Sequence, residues 1–153
     1  GIRDHCVTGV QTCALPILHT MKTRLLIMLL FLFSACALKV NETEARSMAE
    51  GLLTDLKNGN YQSIDKYYSE LSNESEPLDK KKERFEQLKT VTGPIQSFEF
   101  ESSKEEYNSD KGLNQLELKY KVKCEKVTVL QTFLFINDEG KSRIIFQNIE
   151  NVK

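Results

Sequence analysis

Between Ala45 and Leu56 the apolar residues Ala45, Met48, Ala49, Leu52, Leu53 and Leu56 recur at i, i+3, i+4, i+7, i+8 and i+11. That spacing makes one stripe at the helical period. It predicts a helix over 41–57, with Asn41 and Glu44 as a capping box and Asn58-Gly59 as the stop. A second, short helix is expected over 61–68, with Ile64 and Tyr67 or Tyr68 turned inward. Residues 69–76 are polar and read as a loop. Pro77 suits the first position of a third helix over about 78–90, whose buried face is marked by Leu78, Phe85 and Leu88. The run Lys80-Lys81-Lys82-Glu83-Arg84 reads as its solvated face. Gly93-Pro94 ends it.

After Pro94 the period switches to two. Phe98 and Phe100 alternate with polar residues. Leu116, Leu118, Tyr120 and Val122 alternate with Glu117, Lys119, Lys121 and Lys123, the pattern of a strand with one dry and one wet face. The stretch 127–136 is apolar on both sides: Val129, Phe133 and Phe135 on one, Leu130, Leu134 and Ile136 on the other. Asn137-Asp138-Glu139-Gly140 is a hairpin turn, and 142–149 return from it. Helices followed by strands imply an α+β class. The expected architecture is about three N-terminal helices packed on a curved four-stranded antiparallel meander sheet. Helices cover only one face of such a sheet, so the two-sided strand implies an apolar patch on the other. The candidate interface residues are Val129, Phe133 and Phe135, for a homodimer through the sheet face or for another protein.

Three unlike pieces make up the chain. Residues 1–20 show neither period, and 7–17, VTGVQTCALPI, resemble the translation of a sequencing-library adapter. They are set apart as a non-native segment and bridge. Residues 21–36 have the layout of a bacterial signal peptide: Lys22 and Arg24, then the nine apolar residues LLIMLLFLF, then small residues. The apolar stretch is short of the roughly 20 residues a membrane-spanning helix needs. Phe33-Ser34-Ala35-Cys36 resembles a lipobox, which implies acylation at Cys36 and a membrane anchor through an N-terminal lipid. Cleavage after Ala37 is the alternative and would give a secreted or periplasmic protein. With Ala37 and Leu38 after the cysteine, lipoprotein sorting implies the outer membrane where a cell has two. Residues 37–153 form the single α+β domain.

Composition narrows the chemistry. A net charge of −1 leaves no basic footprint for nucleic acid. Both histidines, His5 and His19, fall in the segment set apart, as do Cys6 and Cys13. No metal motif, phosphate-binding glycine loop or Ser/His/Asp set remains, and no cofactor is expected. Cys124 has no histidine to make it a thiolate and reads as a small buried residue.

The element order resembles the nuclear-transport-factor-2-like superfamily, the cystatin-like α+β cone, and within it small exported bacterial lipoprotein domains of unknown function. The residues that carry the resemblance are Gly59-Asn60-Tyr61, Gly93-Pro94 before Phe98, and the hairpin at Asp138-Glu139-Gly140-Lys141. It implies a curved sheet around the long helix and a pocket at the open end, for which Tyr120, Phe98 and Phe100 are the candidate residues. Fold alone does not decide function. The expectation is a non-catalytic envelope lipoprotein that binds a small apolar ligand or another envelope protein. The alternative is a small isomerase- or dehydratase-like enzyme using Tyr120 with Glu99 or Glu101, although those glutamates alternate with phenylalanines and so point to water.

Expression in a bacterium with radiolabelled palmitate tests the anchor. The wild-type chain incorporates label and Cys36→Ala does not. A soluble, unlabelled wild-type protein in the periplasm would show plain cleavage instead.

Overall fold

The computed structural model describes residues 39–152; the adapter-like segment, the signal peptide and Cys36 lie outside them. The described chain is α+β, three helices followed by an open four-stranded antiparallel sheet. Helix α1 spans Glu42–Lys57, α2 Glu70–Ser75 and α3 Leu78–Thr92, with a 3-10 turn at Ile64–Tyr67 between α1 and α2. Strands β1 (Ile95–Asn108), β2 (Leu113–Cys124), β3 (Thr128–Asp138) and β4 (Lys141–Asn151) lie side by side in chain order.

Helix α1 follows from its stripe. Asn41 caps it by accepting from the Glu44 amide at 3.2 Å, and Ala45, Ala49, Leu52, Leu53 and Leu56 are buried. They share one core with Leu116, Leu118, Tyr120 and Val122 of β2, Val129, Phe133 and Phe135 of β3, and Ile144 of β4. The β3–β4 turn has two residues, Glu139 (φ 52°) and Gly140 (φ 84°), both left-handed, which suits the twist of a tight hairpin. Register shifts place bulges near Glu101 in β1 and Ile145 in β4. Beyond the second, Phe146 lies beside Leu134 on the face away from the helices.

The second helical region differs from its reading. The 61–68 segment makes only a 3-10 turn of four residues, and the expected loop at 69–76 contains α2. Ser69 caps α2 by accepting from the Ser72 amide at 3.2 Å. Its other end is closed from a distance by Lys81. That side chain is fully buried rather than solvated. Its ammonium donates to the Ser72 carbonyl (3.3 Å), to Asn73 Oδ1 (3.1 Å) and to the Glu76 carbonyl, and lies 4.8 Å from the Tyr68 ring centre. A charge run on a helix suggests solvent, but a lysine directed at the open carbonyls of a neighbouring helix end finds the acceptors it needs. Arg84 keeps to the partly exposed side and forms a two-pronged bond with Glu76 at 2.9 and 3.1 Å.

Desolvation holds the Lys81 pKa below the ordinary lysine value. In the window between its folded and unfolded pKa the unfolded chain binds the additional proton, so stability rises with pH there. Lys81→Met removes the donor shared by Asn73 Oδ1 and the Ser72 and Glu76 carbonyls, of which the Ser72 carbonyl keeps the Glu76 amide and the Ser75 hydroxyl, and should cost about 1–3 kcal/mol near neutral pH. Urea titrations should show the gap between wild type and variant widening as pH rises toward 10. A gap that narrows would contradict this account.

Candidate functional site

Two adjoining regions of the core gather chemistry-bearing side chains, and they meet at the row where Tyr120 of β2 pairs with Gln131 of β3. The first is an aromatic cluster centred on Tyr120. The ring is fully buried and meets Phe98 at 6.4 Å, Phe100 at 5.6 Å and Phe133 at 6.0 Å, each edge to face. Its hydroxyl donates to Glu50 Oε1 of α1 at 3.4 Å. Burial, with the Glu50 carboxylate second, pushes the phenol's pKa above its usual value. The Arg46 guanidinium covers Phe100 at 3.5 Å from the ring centre. The structure brings Tyr120, Phe98 and Phe100 into edge-to-face contact, and none of the three is among the lining residues of the cavity described next. Glu99 and Glu101 are exposed; Glu99 stands opposite Lys121 on the face away from the helices. The carboxylate that reaches Tyr120 belongs to Glu50, which only the helical period over 41–57 could have placed above β2.

The second region is a cavity that runs from that row toward the β2–β3 turn. It lies between the end of α1 (Leu56), Tyr61, α3 (Phe85, Leu88, Thr92), the start of β1 (Ile95), and β2 and β3 (Val122, Cys124, Val129, Gln131). The space is about 30 Å³, room for one water-sized group. The exposed Lys57 and Lys89 form its rim. Gly93 shapes the adjoining corner: its φ is 78°, and a Cβ there would stand 2.7 Å from Cβ of Glu125. The Lys126 and Glu125 amides then donate to Thr92 and Pro94 carbonyls at 2.9 and 3.0 Å, tying the β2–β3 turn to the end of α3.

The polar groups in this lining are few. Cys124 is buried with a free thiol. Tyr61 is buried, and its pKa is raised by desolvation and then by Glu86. Gln131 is 3% exposed, and its Nε2 finds no hydrogen-bond acceptor in the protein. The residue beside it on the next strand is Ile149. Further along the same face Gln147 accepts from the Tyr68 hydroxyl at 2.7 Å while its own Nε2 is unmatched. No carboxylate is among the cavity's lining residues. Sequence reasoning missed Gln131, although one signal was present: it is the polar member of the inward row Val129, Gln131, Phe133, Phe135.

The interface residues also need correction. Val129, Phe133 and Phe135 are buried against the helices, in the core. The side of β3 that faces away carries Leu130, Leu134 and Ile136. Alternation separates two apolar faces of a strand but does not say which one the helices take.

Neither a scan against protein-family models nor a search of curated proteins finds a match to this chain.

The long bond from Tyr120 to Glu50, an exposed residue, contributes little to stability. Tyr120→Phe should therefore change unfolding free energy by less than about 1 kcal/mol, whereas Tyr120→Ala should cost about 3–5 kcal/mol through the cavity it leaves. Equal, large losses in both would show that the hydroxyl, and not the ring, is what the site needs.

Proposed function

We propose that this chain is a non-catalytic envelope lipoprotein whose domain, of the nuclear-transport-factor-2-like kind, takes a small apolar ligand with one hydrogen-bond acceptor. The single observation that carries the reading is the unmatched Gln131 amide among the residues that line the cavity. A buried donor without an acceptor costs about 1–3 kcal/mol. An occupant that supplies an acceptor recovers that cost, and its apolar part gains roughly 25 cal/mol per Å² removed from water. Few convergent polar groups in apolar walls are the ordinary make-up of a ligand site.

The cavity as it stands holds very little, so a ligand of several carbons requires it to widen. Helix α3 is the wall that gives most easily. It presents Phe85 to the core with Leu78 and Leu88 only half-buried, and so has the least apolar area to lose.

Titration with cyclohexanone, followed through the side-chain amide resonances of Gln131, tests the site. The expected result is a saturable shift at Gln131 in the millimolar range, with slower labelling of Cys124 by a thiol reagent. Gln131→Leu should stabilise the unliganded protein by about 1 kcal/mol and remove the preference for cyclohexanone over cyclohexane. If Gln131→Leu leaves stability unchanged and cyclohexanone moves no resonance there, a buried water already satisfies the amide and the cavity is not a ligand site.

A further inference from the structure

The two glutamines of the inward face are neighbours. Gln131 of β3 pairs with Ile149, and Gln147 of β4 pairs with Phe133 in the next inward row. They stand on the diagonal of adjoining rows, a backbone separation of about 7–8 Å that two long side chains can bridge. Each ends in a buried amide nitrogen with no acceptor. The Tyr68 hydroxyl donates to Gln147 Oε1 at 2.7 Å, which commits the oxygen of that amide and leaves Nε2 as the end to be matched. Buried polar groups are ordinarily matched. Two unmatched donors on adjacent strands suit one group with two acceptor positions.

Helix α3 lines the same cavity as Gln131. Its inward row is Leu78, Lys81, Phe85, Leu88 and Thr92. Phe85, Leu88 and Thr92 reach the cavity. Lys81 lies about one helical turn before Phe85. Its ammonium stands 4.8 Å from the ring centre of Tyr68, the residue bonded to Gln147. The space under α3 is therefore apolar toward Leu88 and Ile95 and becomes polar toward Tyr68 and Lys81. Charge at the polar end is uneven. Lys81 is fully buried, and its three hydrogen-bond acceptors are all neutral. Of the carboxylates that bear on it, Glu76 is shared with Arg84 and Asp65 is exposed. A buried cation is ordinarily paired with a negative charge. The residues that line the cavity include no carboxylate to repel an anion.

We propose that the acceptor on the ligand of this cavity is a carboxylate held by the side-chain amides of Gln131 and Gln147, with the ligand's apolar body against Leu88, Ile95 and Val129. This rests on the cavity being a ligand site and goes further by naming the class, the anion of a small apolar monocarboxylic acid. Two amide donors meet two carboxylate oxygens. Hydrogen bonds to an ionised acceptor are roughly twice as strong as those between neutral groups. The Lys81 ammonium adds a positive field where the low dielectric of the interior screens it little. A neutral carbonyl can accept the same two bonds but draws much less from that charge. Gln147 is not part of the cavity's present lining; the widening that a ligand of several carbons requires extends the space along α3 toward Tyr68.

The purified full chain is titrated at neutral pH with cyclohexanecarboxylate and, separately, with cyclohexanone, and the side-chain amide resonances of both glutamines are followed. The carboxylate should shift Gln131 and Gln147 together, with a dissociation constant about tenfold or more below that of cyclohexanone. Gln147→Leu should remove most of that advantage and leave cyclohexanone within about twofold of its wild-type affinity. Lys81→Met should also reduce the advantage several-fold. Both ligands are read on the same variant, so a general loosening of the fold weakens both alike and is told apart from loss of the carboxylate contact. Cyclohexanone binding at Gln131 with the carboxylate no tighter overturns this inference and leaves the ligand site standing. So does a carboxylate that shifts Gln131 alone, or an advantage that survives Gln147→Leu. If neither compound moves either amide, the cavity is not a ligand site and both readings fail.

Discussion

The contact of one side of α1 with the inward face of the sheet holds the molecule together. Ala45 and Ala49 have almost no side chain, so the first half of the helix lies close to the strands. Leu52, Leu53 and Leu56 then fill the wider space beyond. Each such leucine contributes roughly 1.5–3 kcal/mol on burial. Polar clamps on both flanks fix the rotation of the helix. The Glu44 carboxylate accepts from the Ser142 amide at 3.1 Å and from its hydroxyl at 2.9 Å, which fastens the start of β4. On the other side Arg46 lies over Phe100 of β1 and Glu50 accepts from Tyr120 of β2. A turn of the helix by one residue would break all three. The helix therefore locks the first hairpin to the second as well as covering them.

The same contact explains why α1 and the strands were legible in the sequence and the middle of the chain was not. A sixteen-residue stripe with caps at both ends competes with no other conformation. Strand β2 has the same clarity, since its wet and dry residues alternate without exception from Leu116 to Lys123. Helix α2 has six residues, none of them buried. Nothing periodic marks it, and its stability comes from a cap at Ser69 and from Lys81, nine residues past Ser72. Contacts of that kind depend on how two helices meet, which local pattern does not encode. The bulge near Ile145 hid Phe146 in the same way. Strict alternation from Ser142 and Ile144 would carry Phe146 inward, and the shift turns it outward beside Leu134.

The edges of the sheet fit a chain that must stay open on one face without extending strand by strand. Strand β1 carries Lys104, Glu105 and Glu106 along its outer half, with an ion pair from Lys104 to Glu106 and another from Lys39 to Glu105 at 2.9 Å. It is also bulged twice. Charge and bulges are the usual means by which an edge avoids another strand. At the opposite edge the backbone at Tyr68 and Ser69 runs alongside β4, and the Ser69 amide donates to the Ile144 carbonyl at 2.9 Å. Growth through hydrogen-bonded edges is thus discouraged on both sides, and on the outer face the exposed Phe146 lies beside Leu134.

Gln131 and Gln147 then become informative by contrast. They sit on the inward face of β3 and β4, where every neighbouring requirement favours an apolar residue, and each has an amide nitrogen without an acceptor. Gln147 has a structural reason, because it receives the Tyr68 hydroxyl and so ties β4 to the segment beside it. Gln131 has no such partner. A leucine in its place would satisfy the period, fill the space and avoid the desolvation cost. Positions where a sequence departs from a local rule without structural compensation are where function is to be sought. In this domain that position lines the cavity that Cys124 also lines, which is why the ligand site is proposed there and not at the better-packed Tyr120.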